Sequence, residues 1–131
     1  MIVVDASVLM AALADDGDDG DRARGRLRGE RLVAPHLVDL EVASAWRRLV
    51  AGGDLDARRA DLAFADLAAL RMERVGHRRF LPRCWELRAN VTPYDAVYVA
   101  LAESLAITLV TADVRLADAP GPRCPIEVLA A

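Results

Sequence analysis

The sequence predicts an α/β fold built on a parallel sheet, and three observations predict it. Ile2-Val3-Val4 and Ile107-Thr108-Leu109-Val110-Thr111 are short β-branched and apolar runs, the pattern of strands buried on both faces with helices to either side. Stretches of helical spacing separate such runs, so strand and helix alternate. Each of these two strands also leads into an acid and then a helix, at Asp5 and Asp113. In open α/β sheets the carboxyl ends of strands face the crevice where ligands bind.

Taken in order, the first strand runs into Asp5-Ala6-Ser7, and a short helix follows over 6–14 with Val8, Ala11 and Ala12 on one side. Position alone leaves Asp5 two roles, a cap on that helix or a carboxylate placed for chemistry. Residues 15–21 resemble a calcium loop, but with Gly20 at the sixth position of the EF-hand pattern, Gly17 and Arg26 fall where acidic ligands are required. The stretch reads as a solvated loop whose last acids cap a second short helix rich in Arg. Arg31-Leu32-Val33-Ala34 is a second strand ended by Pro35, which also fits the first position of a helix over 35–51. Val38, Val42, Ala45 and Leu49 form its buried stripe, with Trp46 alongside and Gly52-Gly53 as the stop. Asp39 and Glu41 flank that stripe on opposite margins, so at most one enters a pocket, and periodicity does not decide which.

Asp54 or Asp56 caps a further helix in which Leu62, Ala65 and Ala69 repeat with Phe64, Ala68 and Met72, completing a helical hairpin. Residues 72–75 form a minimal edge strand. A helix over 79–89 tolerates Pro82 near its start and offers Leu81, Trp85 and Leu87 as apolar surface. Thr92-Pro93-Tyr94-Asp95 is a strong helix start, with Thr as cap, Pro at the first position and an acid three residues after the cap. The helix it opens is apolar nearly all round to about Ala106 and must be buried. After the strand at 107–111 come a short helix over 114–119, a turn at Pro120-Gly121-Pro122 and a final strand over 126–129.

The 131 residues suit one domain, 1–131, with no repeat or linker. No apolar run approaches bilayer length, and no basic region precedes the first apolar stretch, so a cytoplasmic protein without a membrane partner is expected. Cys84 and Cys124 lack metal or redox spacing and read as reduced thiols. Every basic side chain other than the two histidines is Arg, which excludes lysine chemistry and a P-loop. The net charge of -3 argues against a general nucleic-acid coat while leaving room for local basic patches.

Asp5 and Asp113 meet above one sheet edge if their strands are neighbours, and Asp95 adds a third acid that is either cap partner of Thr92 or part of the same crevice. Clustered carboxylates repel and raise one another's pKa unless a cation neutralises them, and oxygen-only ligation selects Mg²⁺ or Mn²⁺. His36 and His77 have no partner at ligand spacing, which disfavours zinc.

These residues carry a resemblance. VVDASVL at the start, the helix after Pro35 with Glu41, TPYDAVYVALA around Asp95 and LVTADVRL around Asp113 together resemble the PIN-domain nucleases, most of all the toxin ribonucleases of the VapC type, over essentially the full chain and in order. The resemblance implies a three-layer α/β/α sandwich with a parallel sheet of four or five strands. It implies four metal-holding acids, Asp5, Glu41, Asp95 and Asp113, and so favours Glu41 over Asp39; Ser7 and Thr111 match supporting polar positions. One or two Mg²⁺ or Mn²⁺ ions, RNA cleavage leaving a 5′-phosphate and a 3′-hydroxyl, a homodimer and a cognate antitoxin whose C-terminal segment fills the groove follow from it. Arg22, Arg24, Arg28, Arg47 and Arg48 are candidate phosphate contacts, and the role of Asp118 stays open. Two rivals stand beside this reading. An Asp-based phosphotransferase lacks the lysine of a receiver or the second Asp of a dehalogenase-type site, and a catalytically inactive PIN-like interaction module has no reason to hold four repelling acids together.

Overall fold

The computed structural model describes residues 1–129; the final two residues of the expected 1–131 domain lie outside the described residues. Five strands, β1 (Ile2–Val4), β2 (Leu32–Pro35), β3 (Glu73–Val75), β4 (Leu109–Thr111) and β5 (Ile126–Val128), form one wholly parallel sheet in the order β3-β2-β1-β4-β5. Three or four residues suffice for β1, β2 and β4 because Val3, Val4, Ala34, Leu109 and Val110 are completely buried. The chain steps outward from β1 to β2 to β3, then returns to the other side of β1, so the order reverses between β1 and β4. That reversal opens the crevice at their carboxyl ends.

Right-handed crossovers put the helices of the two halves on opposite faces. On one face lie α1 (Ala6–Ala14), α2 (Asp18–Leu27), α3 (Val38–Ala51) and α4 (Ala57–Ala69); on the other, α5 (Leu81–Glu86) and α6 (Pro93–Leu105), with the short α7 (Val114–Asp118) linking β4 to β5. The result is the expected three-layer sandwich. Its centre is α6, where seven consecutive residues from Ala96 to Ala102 are buried across β1, β2 and β4. Ala106 ends α6 in the left-handed region at φ 55°, turning the chain back toward β4. Gly20 is required by contact: a Cβ there would stand 1.8 Å from the Asp15 carbonyl oxygen, so only glycine lets α2 close against the end of α1. Among the described residues no helix is long and apolar enough to cross a membrane, and both cysteines are free.

Several expected boundaries and faces are corrected. Pro35 does not open a helix; it is the last residue of β2, opposite Val75, and α3 begins only at Val38 after a turn at His36-Leu37. Its fixed φ suits a strand end as well as a helix start, and its missing donor is not needed there, since the next N–H, of His36, reaches the Val75 carbonyl. The last acids of the 15–21 stretch, Asp18, Asp19 and Asp21, do not precede α2 but sit within its first turn. In α4, capped by Asp56, the buried residues are Ala63 and Leu67, while Leu62, Ala65, Ala69 and Phe64 face solvent. The small Ala63 brings α4 close to α1 and α3, a gain that outweighs burying the larger side chains. The helix expected over 79–89 is a 3-10 turn, Arg78–Phe80, followed by α5, and it buries Phe80, Cys84 and Leu87 while exposing Leu81 and Trp85.

Candidate active site

Register builds the site. Val4 pairs with Val110, so the next step sets Asp5 beside Thr111, and the Asp5 N–H donates to the Val110 carbonyl. Asp5 stands at the N-cap of α1, yet its side chain makes no capping bond. Its Oδ2 instead accepts the Ser7 hydroxyl at 2.5 Å and the Thr111 hydroxyl at 2.9 Å, and among the described residues no donor reaches Oδ1. Ser7 Oγ in turn accepts the Ala112 N–H and Thr111 Oγ1 the Asp113 N–H, tying the two strand ends together. Asp5 is 8% exposed, and the two hydroxyls on Oδ2 fix its carboxylate in orientation.

The other acids come from helix starts. Asp95 lies in the first turn of α6, where its N–H donates to Thr92 Oγ1, the cap that the sequence predicts. Burial, and then the charges of Asp5 and Asp113, hold its carboxyl above the usual range, against the Thr92 hydrogen bond and Arg115. Asp113 caps α7 by accepting the Arg115 N–H at 2.9 Å, so here capping and crevice placement coexist. Glu41, in the first turn of α3, accepts the Tyr98 hydroxyl at 2.6 Å. Burial raises its carboxyl most, the Tyr98 bond opposes the rise, and Asp5 and Asp95 add to it. Asp39, its rival on the opposite margin, is turned away into a bidentate pair with Arg74 at 2.7 and 2.9 Å.

Four acids thus feel one another at the convergence of four helix N-termini, whose positive dipole ends offset part of their repulsion. Among the described residues no three acidic, His or Cys side chains stand in a finished ligand cage. Each carboxylate has turned onto a protein donor where one is available, as Glu41 onto Tyr98 and Asp113 onto the α7 backbone.

Two neighbours lie outside the residues marked from sequence. Tyr98 is fully buried and its phenol is pushed up by burial and by Glu41; the signal is a phenol three residues after Asp95, within the otherwise apolar run 96–102. Arg115, with a side chain 93% exposed, reaches Asp113 at 3.4 Å. Arg22 and Arg24 are engaged by Asp19 and Asp21, and Arg48 bonds Ser44. Asp118 is exposed at the end of α7. From Ser7 and Ala112 a groove of about 780 Å³ runs past Trp46, Leu55 and Arg59, between α1, α2 and the start of α4.

A parallel sheet with acids gathered at its switch point defines a class of α/β proteins that work on ligands at the strand ends. The family model described as PIN domain matches residues 2–122, and the chain belongs to the PIN-domain family. Within it the similarity runs to the VapC ribonucleases. The chain is 50% identical to Ribonuclease VapC9 of Mycobacterium tuberculosis, covering 98% of each, and 43% identical to Ribonuclease VapC1 of the same organism, covering 97% of this chain and 96% of that one. Among solved structures, PAE2754 from Pyrobaculum aerophilum superposes with a TM-score of 0.70 at 26% identity, over 97% of this chain and 83% of that one. VapBC2 from Rickettsia felis gives 0.63 at 15% identity over 98% of each, a likeness of fold.

Proposed function

We propose that the chain is a metal-dependent endoribonuclease, one domain over 1–131, acting in the cytoplasm as the toxin of a toxin-antitoxin pair. One observation carries this reading. A chain 50% identical to a ribonuclease over nearly its whole length gathers Asp5, Glu41, Asp95 and Asp113 at one crevice, with Arg115 as the only cation paired to any of them among the described residues.

The donor set fits a hard divalent cation: it is all oxygen, it carries excess negative charge, and burial plus mutual repulsion hold two of its carboxyls above their usual range. Asp5, Glu41, Asp95 and Asp113 would hold one or two Mg²⁺ or Mn²⁺ ions, which supply Lewis acidity toward a phosphodiester and a water acidified toward neutral pKa. Ser7 and Thr111 occupy Oδ2 of Asp5, so that Oδ1 is the oxygen offered to a ligand. The Tyr98 hydroxyl opposes the rise that burial imposes on the Glu41 carboxyl. In the reaction the water oxygen bonds to phosphorus and the bond to O3′ breaks, leaving a 5′-phosphate and a 3′-hydroxyl.

The antitoxin segment is assigned to the groove beside Ser7 and Ala112, whose apolar floor of Met10, Trp46 and Leu55 and rim at Arg59 suit an amphipathic peptide. The homodimer uses the solvent face of the α3–α4 hairpin, where Leu40, Leu62 and Phe64 are exposed.

The test is cleavage of a mixed RNA panel with Mg²⁺ or Mn²⁺. Asp5→Asn and EDTA should each lower the rate at least about 1,000-fold, roughly 4 kcal/mol of barrier. Equal activity in the variant would sink the mechanism.

A further inference from the structure

We infer that residues 71–88, the outer strand β3 and the exposed side of α5, form the surface on which single-stranded RNA lies as it enters the crevice; the inference rests on the ribonuclease reading above. The first ground is charge. This stretch holds six arginines and two glutamates, a net of +4, in a chain of -3, so the remaining residues carry -7. An RNA strand is repelled by the acids at Asp15–Asp21 and attracted here.

The second ground is availability. Arg74 is taken by Asp39 and Arg83 by Glu103, but Arg71, Arg78, Arg79 and Arg88 are exposed and, among the described residues, belong to no ion pair. The third is the arrangement of apolar faces. Arg78, Leu81, Trp85 and Arg88 follow one another at spacings that align them along one side of the turn and helix, with Leu81 53% and Trp85 66% exposed. Arg88 lies over the Trp85 ring at 4.6 Å and Arg79 over Phe80 at 4.7 Å. Arginines for phosphates beside an exposed indole, one face of which Arg88 covers, is the chemistry of sequence-tolerant single-strand binding.

The fourth is continuity with the site. The Val75 carbonyl at the end of β3 takes the His36 N–H just ahead of α3, which carries Glu41. At its other end, Arg88 precedes Asp95 by seven residues, so their backbones lie within about 25 Å, a reach of a few nucleotides.

The experiment uses the full chain in EDTA, with fluorescence anisotropy of a labelled mixed-sequence RNA about 20 nucleotides long. Trp85→Ala should weaken binding about 5- to 100-fold. The triple change Arg78→Glu, Arg79→Glu, Arg88→Glu should weaken it more, and make the log-log salt slope shallower by about 2. With metal present, both should raise KM on long RNA while leaving kcat/KM on a tetranucleotide unchanged; all four residues are exposed, so thermal melts should coincide with wild type. Wild-type affinity in both variants overturns the inference, as does a change of oligomeric state with RNA affinity untouched, which would mark an interface between copies. A wild type that binds RNA through these residues but cuts none defeats the ribonuclease reading and leaves this surface standing. Variants that cut long RNA as wild type does have the opposite consequence.

Discussion

The two ends of the sheet use the same side chains to opposite effect. Toward the amino ends of the strands the half-buried acids are paired: Arg26 joins Glu30 and Glu127, and Arg83 forms a two-bond pair with Glu103, which also takes the Arg123 N–H. At the carboxyl ends four acids converge, and among the described residues only the solvent-exposed Arg115 pairs with any of them. The first arrangement is resolved and static. The second leaves charge uncompensated, and helix N-termini and two hydroxyls restrain it without neutralising it.

Breaking the resolved end should cost most in stability and nothing in chemistry. Arg83→Ala removes the partner of a Glu103 whose side chain is only 16% exposed and whose carboxyl Arg83 helps hold below its usual range. We expect a loss of about 2 kcal/mol, near 8 °C in Tm, with unchanged cleavage of a tetranucleotide. Because the folded carboxyl of Glu103 is depressed, its contribution is present above the unfolded pKa and lost as pH falls through the folded one. The gap between wild type and variant in thermal melts should therefore narrow on acidification.

At the carboxyl end, Tyr98→Phe removes the one donor that Glu41 has among the described residues. The Glu41 carboxyl then rises further, and the protein should lose about 1.5 kcal/mol at neutral pH and less at pH 5, with cleavage falling far less than for Asp5→Asn. Equal losses at both pH values would separate Tyr98 from Glu41.

The smallest effect has the opposite sign. Asp95→Asn relieves repulsion, and after solvent screening should raise Tm in EDTA by roughly 2–4 °C at pH 7.5. A raised carboxyl destabilises only once pH exceeds its unfolded value, so the gain should fade as pH falls through 3.8, below which Asp95 is protonated in both states. The same variant should be stabilised less by added Mn²⁺. A gain that is flat with pH, or an undiminished Mn²⁺ effect, would remove Asp95 from the cluster.

What the sequence made legible was whatever depends on neighbours in the chain. The repeated strand-acid-helix pattern located Asp5 and Asp113, and the Thr92-Pro93-Tyr94-Asp95 start located α6, because caps and buried strands are local. Pairs made between elements were not legible. Asp39 and Glu41 are equivalent by periodicity, and only Arg74 on β3 and Tyr98 on α6, 35 and 57 residues away, draw them apart. The face of α4 was misread for the same reason, since Ala63 is inside for the closeness it allows and not for its hydrophobicity. The free arginines of 71–88 also needed the structure, because composition does not say which cations are already spoken for.

The hydroxyls that hold Asp5 have a consequence for folding as well. Strands of three residues specify their alignment weakly, and a one-residue slip between β1 and β4 would turn whole faces inside out. In the native alignment Asp5 meets Thr111; slipped by one, it would meet Val110, leaving a buried carboxylate without that donor. The bond that orients the site is therefore also a proofreading device, which makes misaligned chains unstable before they could be merely inactive.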